Sequence, residues 1–132
     1  MHRQLTSQII NAAITVHEEL GPGLLENVYL KCMEIELEER GLKVASEIEL
    51  PVTYKGRAVH DCGYRLDLLV EEDVVVELKS VQAVDPVHKK QLLTYLRLAG
   101  KEIGLLINFN EVLLKDGIHR VANNYSSTSQ DV

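Results

Sequence analysis

The chain has no apolar run approaching the ~20 residues that span a bilayer, so no membrane partner is expected. It has no patterned cysteines either. Cys32 and Cys62 stand alone without metal-type spacing, which leaves two reduced thiols, with Cys32 in a helix core. The start, Met1-His2-Arg3-Gln4-Leu5-Thr6, is too polar for a signal peptide, and the expected compartment is the cytoplasm. There is no internal repeat and no linker that would split the chain. Positive charge is also scarce: 14 Lys and Arg stand against 20 Asp and Glu, a formal charge of −6, with a pI of about 5.3. That balance counts against a protein that grips nucleic acid by a broad basic surface, because phosphate contacts need clustered Lys and Arg. It does not exclude one that presents carboxylates to metal ions, which bring their own positive charge to a phosphate.

What is present is an ordinary globular composition, 45% apolar and 26% charged over 132 residues, long enough for one domain with a proper core. The domain is expected over residues 1–123, followed by a polar, disordered tail over 124–132. From about Thr6 to Leu20 a helical stripe of Ile10, Ala13, Ile14 and His17 is stopped by Gly21-Pro22-Gly23. A second helix runs from Leu24 to about Arg40, closed by Gly41, with an acidic and solvated outer face (Glu34, Glu38, Glu39). The period then changes to that of strands, in turn Val44–Leu50, Val52–Tyr54, Arg57–His60, Tyr64–Val70 and Val74–Lys79. Asp85-Pro86 opens a third helix with Asp85 as N-cap, and Gly100 closes it. Ile103–Phe109 is a further buried strand and Gly117–Val121 a last short one. Helices, an antiparallel meander, then helix and strand make an α+β domain around a mixed sheet.

The informative stretch is Val74-Val75-Val76-Glu77-Leu78-Lys79. A buried β-branched strand rarely carries a carboxylate and an ammonium unless something holds them. If Glu71-Glu72-Asp73 form the turn, the hairpin is symmetric about Glu72 and Asp67 faces Glu77. Opposed residues have Cβ atoms about 4.5–5.5 Å apart, and like charges there are destabilising. Alternation adds Lys79 to the same face. Magnesium suits such a site, since it takes one or two carboxylates plus water and phosphate. Asp67 and Glu77 would be its ligands, with Lys79 orienting the attacking water. On residue types alone, a cross-strand salt bridge of Asp67 with Lys79, or an exposed sheet end, accounts better for so short and common a pattern.

Two helical positions bear on this choice. A projection of the third helix places Gln91 and Tyr95 within the arc of Val87, Leu92, Leu98 and Ala99, away from Lys89, Lys90 and Arg97. A core-facing Gln needs hydrogen-bond partners, which the hairpin carboxylates could supply. A Gln–backbone bond and an amphipathic core Tyr95 are the plain alternatives. Glu26 shares a stripe with Leu30, Met33 and Leu37 and also faces inward. With Gly23 as N-cap it occupies the third helical position, where an acidic residue is favoured in any protein. His17 fits a satisfied core or interface histidine better than a ligand.

These residues fall into a longer pattern. Gly23-Leu24-Leu25-Glu26-Asn27-Val28-Tyr29 resembles the motif that names the bacterial GxxExxY proteins. The resemblance continues in order through Tyr64-Arg65-Leu66-Asp67, Val76-Glu77-Leu78-Lys79, Gln91-Leu92-Leu93-Thr94-Tyr95, Gly104–Phe109 and Leu114–Ile118, covering the chain to about Asn123. That family is grouped with the PD-(D/E)XK nucleases. The resemblance implies a restriction-endonuclease-like αβββαβ core, a mixed central sheet flanked by helices. It also implies a catalytic triad of Asp67, Glu77 and Lys79, and Glu26 as a helix carboxylate assisting the metal. Gln91 and Tyr95 resemble the Q-x-x-x-Y element of RecB-type exonucleases. Leu66 stands where the signature has proline, a position that tolerates substitution. The expected function is an Mg²⁺- or Mn²⁺-dependent nuclease acting on nucleic acid, DNA ahead of RNA. The competing expectations are a catalytically inactive binding or accessory module within a larger complex, and a structural homo-oligomer built on the first helix.

Overall fold

The computed structural model describes residues 2–60 and 64–124. Cys62 and nearly all of the polar tail read from the sequence lie outside them. Helices α1 (His2–Leu20) and α2 (Glu26–Glu39) come first, followed by strands β1 (Val44–Glu49), β2 (Val52–Tyr54), β3 (Arg57–His60), β4 (Arg65–Val70) and β5 (Val74–Lys79). Helix α3 (Pro86–Ala99), strand β6 (Ile103–Asn108), a 3-10 turn (Leu114–Gly117) and strand β7 (Ile118–Ala122) complete the order. Five strands form one sheet in the order β1-β4-β5-β6-β7, while β2 and β3 form a separate hairpin. Among the described residues only β5 and β6 pair in parallel, because α3 carries the chain back between them. With the β2–β3 hairpin set aside as an excursion, α2-β1-β4-β5-α3-β6 is an αβββαβ succession in an α+β fold.

The meander leaves the main sheet at β2, where Pro51 leads the sequence to expect an edge or a bend. Pro51 has no N–H to give a ladder, and Glu47 adopts φ 51°, a left-handed conformation inside β1. Val44 and Leu68 pack with α1 and α2, whereas Ile48 and Leu66 pack with α3. The β1–β4 pair therefore turns over between these points, as a locally strained and twisted strand does, and the chain leaves the sheet soon after.

Both faces of the sheet are covered. One meets α1 and α2 through Ile9, Ala12, Ala13, Val16, Tyr29, Met33 and Leu37; the other meets α3 through Leu92 and Leu96. Each such side chain contributes about 1.5–3 kcal/mol when fully buried. Of the α1 stripe read from the sequence, Ala13 and His17 are buried, joined by Ile9, Ala12 and Val16, while Ile10 and Ile14 are half-buried. At Gly104 of β6 an added Cβ would lie 3.0 Å from a Leu92 methyl, so α3 is seated directly on β6 and its position over the sheet is fixed.

Candidate active site

The β4–β5 ladder pairs Val70 with Val74, Leu69 with Val75 and Leu68 with Val76, the symmetry about Glu72 expected from the sequence. One step further the strands exchange side chains for ladder bonds. The Asp67 N–H donates to Glu77 Oε2 at 2.9 Å, and the Leu78 N–H donates to Asp67 Oδ2 at 2.8 Å. Each carboxylate is thus clasped by the opposite strand's backbone, and the two are held together by a reciprocal pair of charge-assisted bonds.

The electrostatics of this clasp are unfavourable. Glu77 is only 8% exposed, and its pKa is pushed up to about 8, first by burial and then by the charge of Asp67. Burial also raises Asp67, against the Leu78 N–H bond that lowers it; Glu26 and Glu47 add to the rise and Lys79 opposes it. Lys79 sits within electrostatic reach of both carboxylates, yet none of the ion pairs among the described residues includes Asp67, Glu77 or Lys79. The cross-strand salt bridge that could have explained the pattern is not formed.

Glu26 reaches this end of the sheet through a local device that gives its motif a physical meaning. Gly23 takes φ +97°, a conformation that side-chain-bearing residues avoid, and lets the chain turn into α2. The Tyr29 hydroxyl donates to Gly21 O at 2.6 Å and accepts from Leu24 N–H at 3.1 Å, tying the turn down. The Tyr29 ring stacks on Phe109 at 4.5 Å. Glu26 then accepts from the Ser80 N–H at 3.3 Å, while Ser80 Oγ donates to Leu24 O at 2.6 Å. Helix α2 starts at Glu26 with Leu25 as N-cap, so Glu26 holds the first helical position and not the third. Its favourable place at a helix start stands, and its charge is also felt by both hairpin carboxylates.

On α3 the buried side chains are Leu92 and Leu96, with Val87 and Leu98 exposed. The apolar arc is therefore rotated from the projection that included Val87 and Leu98, and Gln91 is exposed rather than core-facing. Gln91 and Tyr95 line a groove between α3 and the β2–β3 hairpin. Tyr95 connects that groove to the clasp: the charges of Glu77 and Asp67 contribute to its raised pKa, after burial. His17 is the satisfied core histidine read from the sequence, with Nε2 2.8 Å from Glu111 O.

A family model of the PD-(D/E)XK nuclease superfamily matches residues 3–121. The chain belongs to this superfamily. No curated protein and no solved structure matches it. As a PD-(D/E)XK domain it raises the question of a divalent metal, which nucleases of the superfamily generally use. Among the described residues no group of three or more His, Cys, Asp or Glu could by itself hold an ion. Magnesium does not ask for one, since one or two carboxylates with water and phosphate suffice. The hydrogen bonds of the clasp engage Oδ2 of Asp67 and Oε2 of Glu77; Oδ1 and Oε1 remain as hard oxygen donors on two carboxylates pressed together. That donor set fits a divalent cation.

Sequence reasoning gave no role to three residues at this candidate site of the PD-(D/E)XK domain, although Tyr29 and Asn108 stand within the quoted motifs. Ser80 and the Tyr29 hydroxyl position Glu26, as above. Asn108, fully buried at the end of β6, accepts from the N–H groups of Val81 and Asn110 and donates to Val81 O. It fastens the segment leaving β5 directly after Lys79. An amide at the end of an otherwise apolar strand was the one available signal for it.

Proposed function

We propose that the chain is a nuclease that hydrolyses phosphodiester bonds with an Mg²⁺ or Mn²⁺ ion held by Asp67 and Glu77, with Glu26 nearby. The observation that supports this most is the reciprocal clasp: two carboxylates, both raised in pKa by burial, share one end of a hairpin without an ion-paired cation. An uncompensated buried pair is costly, and such groups cluster at functional sites. When bound, the ion would polarise the phosphoryl group and make water acidic enough to attack at neutral pH. The chain's own groups do the rest. The backbone N–H groups of Asp67 and Leu78 fix the carboxylates. The Lys79 ammonium orients water and balances developing phosphate charge. Glu26, tethered to Ser80, adds negative potential that draws a cation to this end of the sheet. Tyr95 and Gln91 flank the approach. The segment Gly23–Tyr29 fits a GxxExxY protein within the superfamily.

Incubation with single- and double-stranded DNA and RNA, with and without Mn²⁺, tests this. Ion-dependent cleavage that disappears in Asp67→Ala is expected. Metal binding without cleavage of any substrate would favour an accessory module that keeps the nuclease fold without turnover.

A further inference from the structure

The parallel ladder between β5 and β6 ends at the register pair Lys79 and Asn108, where the Phe109 N–H donates to Lys79 O at 2.8 Å. Val75 and Leu106 of these strands pack with α3, and the period of two puts Glu77, Lys79 and Asn108 on that same face. Beyond the last rung a side chain takes over from the main chain. Asn108 Oδ1 accepts from the Val81 N–H at 3.1 Å, and Nδ2 donates to Val81 O at 2.9 Å. That reciprocal pair is what the backbone of a neighbouring strand would offer, and it carries the pairing two residues past the ladder's end. The amide itself has no room to move. It is fully buried, its Oδ1 also accepts from the Asn110 N–H at 3.2 Å, and Gly117 backs onto it so closely that a Cβ there would lie 2.5 Å from Asn108 O and 3.2 Å from Asn108 Cβ. Lys79 has no such anchor at its own tip, since none of the ion pairs among the described residues includes it. Its ammonium rides on a flexible four-carbon stem, so its place beside the carboxylates is set by where the main chain holds its Cα.

We propose that Asn108 is a positioning residue for Lys79: by clamping both polar groups of Val81 it fixes the direction in which β5 leaves the sheet, and with it the place of the Lys79 ammonium beside Asp67 and Glu77. The proposal rests on the nuclease reading for the task given to Lys79 and deepens it by naming what keeps that lysine in place. Asparagine suits the work because one planar group offers a donor and an acceptor together. An ionised aspartate only accepts, and an apolar residue does neither. The clamp acts from the α3 side, while Ser80, between Lys79 and Val81, is tied to α2 through Leu24 O and Glu26. A plain stabilising role would also satisfy a buried amide, but it would be indifferent to whether position 79 carries an ammonium. A positioning role is not, and a displacement of about 1 Å is enough to cost a reaction about 10²-fold.

Two measurements separate positioning from stability. The first needs no variant. In the unmodified protein, hydrogen exchange resolved by residue should find the Val81 amide protected like that of Phe109, although Val81 lies outside the ladder; fast exchange at Val81 beside a slow Phe109 would overturn the proposal. It also covers the case of an Asn108 variant that does not fold. The second compares Mn²⁺-dependent cleavage, on whichever of single- or double-stranded DNA or RNA is cut, by Asn108→Ala, Lys79→Ala and the double variant, at a temperature where all three are folded. Asn108→Ala should lower kcat by about 10²-fold. KM and Mn²⁺ affinity should stay unchanged, because Asp67 and Glu77 are held by their own bonds upstream. In the Lys79→Ala background the same substitution should cost nothing more, since nothing is left to position. Losses that multiply in the double variant, or an unchanged kcat in folded Asn108→Ala, would overturn the assignment. If the unmodified protein cuts no nucleic acid, the nuclease reading fails by itself and the positioning is judged by competitive amine labelling read by mass spectrometry. A Lys79 reactivity, relative to Lys31, that changes in Asn108→Ala would keep Asn108 as the residue that places Lys79; an unchanged ratio would overturn it.

Discussion

The β4–β5 hairpin carries carboxylates at both ends and treats them in opposite ways. At the turn, His2 lies between Asp73 of the hairpin and Glu102 just before β6, Nδ1 3.0 Å from Asp73 and Nε2 2.9 Å from Glu102. Those bonds raise the His2 pKa, Glu102 first and then Asp73. Lys101 also donates to the Glu72 backbone carbonyl at 2.9 Å, so the polar groups of this end find partners at the surface. At the open end, Asp67 and Glu77 are drawn into the sheet and bound to each other's strand, with Glu26 adding to the repulsion. One end is arranged as a surface end that costs little, while the other stores unfavourable charge that a bound cation would relieve. The same two strands thus separate a structural terminus from the candidate site.

The largest contrast should appear in cleavage. Removing Lys79 as Lys79→Ala should lower activity by about 10²–10³-fold or more, on the scale of losing one group that stabilises developing charge. Metal binding should persist, because ammonium is not a ligand. Asp67→Ala should lose both. Lys79→Arg should fail as well, since a planar fork does not replace a compact charge. His2→Ala at the turn should leave the rate unchanged. Titrating metal affinity and rate on these four proteins checks the contrast, and full activity in Lys79→Ala would end the catalytic assignment.

A thermal melt gives the next effect in size. An ion at about 100 times its dissociation constant adds about 2.7 kcal/mol, so Mg²⁺ or Mn²⁺ should raise the Tm of the unmodified chain. Asp67→Asn and Glu77→Gln should melt higher than the unmodified chain without metal and gain little from it. His2→Ala should keep the full metal response. A Tm insensitive to both ions, and not raised by Asp67→Asn, would argue that the two ends of the hairpin do not differ in this way.

The smallest effects lie in the pH profile. Glu77 has its folded pKa raised from 4.5 to about 8, so between those values the folded state holds a proton that the unfolded state has released. Its contribution to stability is complete below 4.5 and is lost as pH rises through about 8. His2, also raised, contributes in the same direction from its ordinary 6.5 upward, but weakly, because the pair is largely solvated. Metal-free Glu77→Gln should therefore lose the broad decline and keep the shallow one, and His2→Ala the reverse. Superimposable profiles for Glu77→Gln and the unmodified chain would remove burial as the dominant influence on Glu77.

Much of this hairpin was legible in the sequence because it rests on short-range rules. The turn at Glu72 and the period of two already set Asp67 against Glu77 and Lys79 beside it, and Asp85-Pro86 and Gly100 already bounded α3. What escaped depends on contacts across the fold. Gln91 was turned inward by a projection that counted Val87 and Leu98 as core, when both are exposed. Pro51 marked an edge or a bend before β2 in the sequence, but the left-handed Glu47 that accompanies it is something a glutamic acid gives no sign of. The role of Tyr29 needs Gly21 and Leu24 beneath its hydroxyl, and that of Asn108 needs Val81, partners that no periodicity reveals.

The clasp also equips the protein with its own indicators. Two main-chain amides, those of Asp67 and Leu78, donate to carboxylates and not to peptide carbonyls. Their proton frequencies should follow the charge on the acceptor, shifting when either acid gains a proton or an ion takes its place. Two resonances in an isotope-labelled sample would then record occupancy of the centre in real time, with no dye, no substrate and no alteration of the chain.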